Sequence, residues 1–557
     1  VAEQGADGSS GGRSAVVAAG ILISRLAGFA RQRAVAYFFG TGPHADVFTF
    51  ALRAPNILQN LLGEGTLSAS FIPAYSRMLE EGREEEAGRL AGAIFGLLLA
   101  VAAGLALLGV IFAEPIVAVL AAGFLREEGA VSRFPLAVTA VRITFPMTGV
   151  LVLHAWALGV LNSHRRFLLP YVAPALWNGT IIAALVLAGQ SLVAGAPGPD
   201  GATLSVATLD RLLVAACIGA LAGGVIQFGV QVPLALRLLR GFRPSLSTRV
   251  AGVRQTISAF WPVVAGRGVV QVGAWVDLFL ASFLAEGAVG VLSYAQLLYI
   301  LPISLFAMSV AASELPELSR VLPGARDGAL PAGTGRIEGS LRQIALLVVP
   351  TFVGYLVFGY LLVGAIYRTG SFGAASNLLV YGTLAAYTLG LPASASSRLF
   401  QNVFFALSDT RTPARIAAQR VLLAVAVAVP AMLALDRVTV GGETALRFGA
   451  AGLAVGSAVG AWYELLRLLR ALGRRLESFR LPIGAFGRML GTALGAAAVA
   501  ALVWWALPEL HPALTAVAVV GTYAGLYLLT ARLLGFPELE AWLGRLSRRL
   551  RRLRRRG

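Results

Sequence analysis

The chain contains no lysine: all 46 of its basic residues are arginine. That excludes a Schiff-base amine and a phosphate loop of the kind whose lysine reaches the phosphates. Cysteine is almost as scarce. Cys217 stands alone in an apolar run, so neither an intrachain disulfide nor a cysteine metal cluster can form. The four histidines, His44, His154, His164 and His511, are scattered. No HExxH, nucleophile elbow or dinucleotide fingerprint occurs, so neither a metal site nor a catalytic centre is expected. Charge of either sign is thin, at 13% of 557 residues, where a soluble domain carries about 25%.

What is present is apolar: 57% of residues are hydrophobic and the mean hydropathy is +0.76. The apolar runs are long and continuous, unlike the short alternating strands of an outer-membrane barrel. The sequence therefore predicts an all-α polytopic membrane protein. Residues 1–14 read as a flexible leader without the layout of a cleaved signal peptide. Fourteen spans are expected, near 15–40, 45–79, 90–112, 135–161, 171–194, 208–236, 256–284, 288–313, 342–366, 377–406, 413–435, 449–471, 488–507 and 513–534. The second stretch is too long for one straight crossing at about 1.5 Å per residue, and Pro55, Gly63, Gly65 and Pro73 predict a bend or break.

Arginine alternates between the loops. Those at 78–89, 162–170, 237–255, 314–341, 407–415 and 472–487 each hold two or more, whereas on the opposite side 195–207, 285–287 and 508–512 hold none and 113–134, 367–376 and 436–448 hold one or two each. By the positive-inside rule the first set is cytoplasmic, which places both termini inside and accounts for the net charge of +18 without nucleic acid. The arginine-rich tail, 537–557, then lies on anionic lipid.

A weak repeat is legible. Pro73-Ala-Tyr-Ser-Arg77 returns as Pro316-Glu-Leu-Ser-Arg320, and Arg165-Arg166 before Pro170 returns as Arg411 before Pro413, both at an offset of 243. Two pseudo-symmetric six-helix lobes follow, 15–240 and 241–475, with two further helices in 476–536. Transporters built this way bind substrate near the midplane.

The chemistry must come from ionised residues inside the spans, each costing roughly 2.5–3.5 kcal/mol on insertion scales unless it faces protein or water. Arg25, Arg31, Arg53, Asp46 and Glu64 lie in the first two spans, Arg267 and Asp277 in the seventh, and Arg398 in the tenth. Several cations so close suggest a cavity for an anion. On a regular helix Arg25 and Arg31 are about 240° apart, so they do not share a narrow stripe, whereas Arg25 and Arg33 come within about 80°. The alternative is that these arginines pair with Asp46 and Glu64 and tie helix 1 to helix 2. Asp277 is either a ligand for a hard cation or an arginine partner.

The stretch SRLAGFARQRAVAYFFGTGPHADVFTFALRAPNILQNLLGEGTLSASFIPAYSR (24–77) resembles the opening of the MurJ/MviN family of lipid II flippases. The likeness continues at 143–178, at 279–320 and in FFALSDTRTPARIA (404–417). It implies a fourteen-helix exporter of the multidrug/oligosaccharidyl-lipid/polysaccharide superfamily, in a bacterial inner membrane, carrying undecaprenyl-pyrophosphate-linked peptidoglycan precursor by alternating access. It also implies that Arg25, Arg31 and Arg53 line a cationic cavity with Asp46 and Glu64. The last two helices would hold the lipid tail, and Asp277 would match a sodium-site position, with Na+ or H+ as coupling ion and no other cofactor. The implied partners are the lipid-linked substrate, membrane lipids and cell-wall synthesis proteins. The chain departs from the family at Gln59 and Leu297, where a basic residue is usual, and at Gln32, where an acidic one is. Two other readings stay open: the same fold exporting another polyprenyl-linked glycan or an amphiphile, and a non-transporting scaffold for envelope synthesis.

Overall fold

The computed structural model describes residues 7–126, 131–193, 204–321, 330–440, 443–476, 479–508, 511–540 and 544. The chain divides into two compact units, Val1–Gly290 with Thr369–Phe372, and Val291–Arg368 with Gly373–Gly557.

The first unit holds α1 (Asp7–Phe39), α2 (Pro43–Leu62), α3 (Glu64–Glu80), α4 (Glu84–Ile111) and α5 (Ala113–Leu120), then a 3-10 turn at Ala122–Leu125. It continues with α6 (Arg133–Ser163), α7 (Leu168–Val193), α8 (Val206–Gly229), α9 (Val232–Leu238) and α10 (Val253–Ser282). Helix α1 reaches back into the stretch read as a leader. Helix α6 is apolar all round and buried along most of its length, as expected of a helix at the centre of a bundle. Its Trp156 packs with Phe71 and Tyr75 of α3 and Leu90 of α4, and donates its indole N–H to the Ala91 carbonyl at 3.0 Å.

The second unit follows α11 (Ala288–Pro302) and a π turn at Ile303–Ala307 with α12 (Met308–Val321), α13 (Leu330–Tyr367), α14 (Ala374–Leu389), α15 (Leu391–Ala406) and α16 (Arg411–Leu435). A short antiparallel hairpin, β1 (Thr439–Val440) and β2 (Glu443–Arg447), leads to α17 (Gly449–Gly473), α18 (Ile483–Ala506) and α19 (Pro512–Leu533). Helices α16 and α17 meet through small residues. A Cβ on Gly456 would stand 2.5 Å from that of Ala428, so glycine sets how closely the two backbones approach. Helix α19 is pinned to α13 by Tyr523 and Tyr527, whose hydroxyls donate to the Pro350 and Leu346 carbonyls at 2.7 and 2.9 Å.

Each of the fourteen predicted spans falls on a helix or a helix pair. Among the described residues, nine helices are long and apolar enough to cross a bilayer, ten if α14 and α15, bent by 44°, count as one crossing. The other predicted spans, α1, α2 with α3, α10 and α17, hold the charges or glycines that lower their apolarity, so the count of fourteen does not follow from apolarity alone. The predicted break in the second span lies at Gly63. A Cβ there would come within 2.4 Å of the Gln59 carbonyl oxygen, while Pro55 and Pro73 are absorbed inside α2 and α3.

The repeat extends far beyond the two motifs that disclosed it. The ends of α1 and α10 (Phe39, Ser282), the ends of α6 and α15 (Ser163, Ala406), and the starts of α7 and α16 (Leu168, Arg411) and of α8 and α17 (Val206, Gly449) are each 243 positions apart. The two non-glycine residues with positive φ among those described, Arg165 (60°) and Ser408 (57°), keep the same offset. Both corners close alike. Arg165 and Arg166 donate to the Asn162 and Leu161 carbonyls, and Ser408 and Asp409 donate to those of Phe405 and Phe404. The Gly63 break maps onto position 306, inside the π turn, so each half interrupts its second helix at the same place by a different device.

Candidate functional site

Helix α1 is unbroken, so its angular spacing holds. Arg25 and Arg33 are exposed, while Arg31, on another face, is half-buried. The Arg31 guanidinium carbon lies 5.0 Å from the centroid of the Trp177 ring on α7, within the range of cation–π attraction. Trp177 is itself fixed, its indole N–H donating to the Ala220 carbonyl of α8 at 3.0 Å. Arg53 and Gln59 are half-buried on α2, and Gln32 is buried on α1. Asp277 is half-buried on α10. Glu64 opens α3 and Arg267 stands on α10, but the side chains of both lie outside the described residues.

Asp46 is fully buried. Its Oδ2 accepts from the Gly287 N–H at 2.7 Å and from Arg133 Nη1 at 3.3 Å, and its Oδ1 accepts from the Gly290 N–H at 2.8 Å. The carboxylate's partners thus lie on α6 and at the start of α11. The alternative in which Asp46 ties α2 to an α1 arginine is not the arrangement found. Gly287 adopts φ +89°, and a Cβ there would meet the Thr41 carbonyl oxygen at 1.8 Å, so only glycine brings this N–H to the carboxylate. Arg133 is also buried, against the Phe124 ring at 4.8 Å. In the sequence it falls in the 113–134 loop, and its one signal is its position beside Phe134-Pro135, where an α-helix can begin.

In the second unit, Glu464 of α17 is buried and held by Arg420 Nη1 at 2.5 Å and Gln401 Nε2 at 2.7 Å. Arg398 is exposed on α15 and reaches only the edge of this network, 3.5 Å from Gln401 Oε1. Among the described residues no three His, Cys, Asp or Glu side chains converge as metal ligands would.

The corners outside the spans titrate in predictable directions. Two hydrogen bonds from Thr412, backbone and hydroxyl, and the Arg475 guanidinium hold the Asp409 carboxyl below its ordinary value. Burial lowers the His164 imidazole, which sits 2.8 Å from the Tyr75 hydroxyl.

Apolar helices bearing arginines can serve either to pack or to transport, and similarity to known proteins separates these. A family model described as lipid II flippase MurJ matches residues 35–524. The chain belongs to the MurJ family. It is 30% identical over 400 residues to the lipid II flippase MurJ of Burkholderia cenocepacia, covering 71% of this chain and 73% of that protein. It is 32% identical over 465 residues to a probable lipid II flippase MurJ of Rhizobium meliloti, covering 82% and 79%. In fold it is similar to a solved lipid II flippase MurJ in an inward closed conformation, with a TM-score of 0.72 at 21% identity over 93% of this chain and 99% of that one. An inward-facing multidrug MATE transporter of the MOP superfamily gives 0.61 at 15% identity, over 81% and 94%. The chain is a multi-pass membrane protein with the helical fold these transporters share.

Proposed function

We propose that this protein is a flippase that carries lipid II, the undecaprenyl-pyrophosphate-linked peptidoglycan precursor, across a bacterial inner membrane by alternating access, with both termini in the cytoplasm. Membership of the MurJ family supports the cargo. One structural observation bears most on the mechanism: Arg31, inside an apolar helix, is oriented over the Trp177 ring. Stacking on an aromatic face holds a guanidinium plane in a fixed orientation while its N–H edge keeps the geometry that matches phosphate oxygens. In this reading Arg31, with Arg25 and Arg53, grips the pyrophosphate. Asp46 acts indirectly, by fixing the entry of α2. Arg267, Arg398 and Glu64 are further candidates for the headgroup cavity, and helices α18 and α19 for the lipid-tail groove. Asp277 is the candidate ligand for a coupling ion, H+ or Na+. Because no three His, Cys, Asp or Glu side chains gather among the described residues, the ligands of a cation there would include carbonyl or hydroxyl oxygens.

Expression in cells depleted of their own lipid II flippase tests the reading. Growth is rescued by the parent chain and by neither Arg25→Ala nor Arg31→Ala. Failure of a correctly inserted parent chain to rescue favours another polyprenyl-linked cargo or a scaffold role. Equal rescue by all three makes the arginines structural.

A further inference from the structure

A second arginine cluster lies far along the chain from those of α1. Where α16 begins and α17 ends, a cleft of about 230 Å³ opens between the two helices. Thr412, Arg415 and Gln419 line it from α16, and Arg467 and Arg470 from α17 with Arg474 capping its end. Both sets follow i, i+3, i+7 spacing, which places each on a single helical face, so the two stripes oppose each other. Four guanidinium groups thus converge on one concavity whose lining contains no carboxylate. The neighbouring acids are already engaged, Glu464 with Arg420 and Asp409 with Arg475. Arg415, Arg470 and Arg474 form no ion pair among the described residues.

Loop bias accounts for arginine near this end of the bundle, but not for its gathering on two facing helical stripes. The internal repeat places Leu169, Val172, Leu176, Gly224, Gln227 and Gln231 at the six matching positions of the first half, where α7 and α8 start at the matching positions. That half meets its loop bias with Arg165 and Arg166 in the connecting turn. Like charges gathered without a counter-ion repel one another, and an anion seated among them removes that cost. The cleft is smaller than the roughly 300–1,000 Å³ of pockets that enclose drug-sized ligands, so it suits a single phosphate group with its ester substituent.

We infer that this cleft is a binding site for a phosphate ester, either the headgroup of an anionic phospholipid or a soluble phosphomonoester, separate from the arginines of α1. The site lies at a helix end, where a span such as α16 meets the headgroup layer.

The test uses the full chain purified in neutral detergent, titrated with phosphatidylglycerol in one arm and glycerol 3-phosphate in the other. Binding is read by native mass spectrometry and by the shift of the thermal midpoint. Three proteins are compared: the parent, the triple variant Arg415→Gln/Arg470→Gln/Arg474→Gln, and a control, Arg243→Gln/Arg249→Gln/Arg254→Gln, which removes three exposed arginines of the first unit. The cleft variant weakens binding by about fivefold for each arginine removed, while the control binds as the parent does. Loss in the phosphatidylglycerol arm alone identifies a lipid headgroup, and loss in both arms identifies the phosphomonoester itself. Equal weakening in cleft and control variants, or in neither, overturns the proposal. Unliganded thermal midpoints matching the parent show that the cleft variant remains folded.

Discussion

The two halves of this protein share a backbone plan and differ in charge. At the positions matching Arg25, Arg31 and Arg53, the second half has Gly268, Ala274 and Gln296. At the position of Trp177, the platform beneath Arg31, it has Arg420, which ties down a buried glutamate instead. A helix that ends at the position matching the end of α1 therefore forms without arginine at the positions of Arg25 and Arg31. If the α1–α2 arginines were a requirement of the fold, the repeat would need them twice. That asymmetry is what the proposed function expects of these arginines, while the ion pairs Asp46–Arg133 in one half and Glu464–Arg420 in the other fasten each half at different positions.

The comparison can be broken at several points. The largest effect is expected at Asp46, whose counterpart is Val289. Asp46→Ala leaves buried Arg133 without its anion and two backbone N–H groups without acceptors, costing about 3–5 kcal/mol of stability, seen as a lower thermal unfolding midpoint in detergent. Val289→Ala, which only trims an apolar side chain, costs about 0.5–1.5 kcal/mol. An Asp46→Ala midpoint within a degree or two of the parent would dissolve the distinction.

Trp177 sharpens the contrast from the functional side. Trp177→Ala removes a cation–π contact worth about 0.5–2 kcal/mol, so lipid II binding weakens by roughly two- to thirtyfold. A folded Trp177→Ala protein with unchanged lipid II affinity would mean that stacking does not orient Arg31. The smallest effect belongs to the paired corners. Asp409 closes the first turn of α16, whereas its counterpart Arg166 follows α6 without an acidic cap. Asp409→Ala costs about 1 kcal/mol at neutral pH, a typical capping value, and Arg166→Ala costs less. Because the Asp409 carboxyl is lowered on folding, its contribution is complete above the ordinary value of 3.8 and fades as pH falls through the lowered one. The gap between parent and Asp409→Ala therefore narrows in strong acid, which a pH series of unfolding midpoints detects.

Much of this was legible in the sequence because membrane helices are written as long apolar runs, so each expected span falls on a helix. The offset of 243 followed from two short motifs and then held for helix ends and for the Arg165 and Ser408 corners. Arg25 and Arg31 stood out because charge inside an apolar run is costly. What escaped were features defined by long-range partners. Asp46 was visible, but its bond to Arg133 depends on α6 crossing α2, and Arg133 looked like one more loop residue. The break in the second span was expected at Pro55, Gly63, Gly65 or Pro73, but that Gly63 makes it is set by the Gln59 carbonyl one turn back. The cleft was partly readable: Arg467, Arg470 and Arg474 form a stripe, but its facing half lies about 50 residues earlier on α16.

The central claim is that guanidinium groups on α1 hold the pyrophosphate of the cargo. The most direct test is lipid II binding to the purified full chain, comparing the parent with Arg31→Ala and Arg31→Lys. A charge-assisted bond to phosphate is worth about 1.5–3 kcal/mol. Arg31→Ala therefore loses about ten- to a hundredfold in affinity, and Arg31→Lys, which keeps the charge but not the planar fork, recovers part of it. Equal affinity in all three proteins, each folded, would contradict the account.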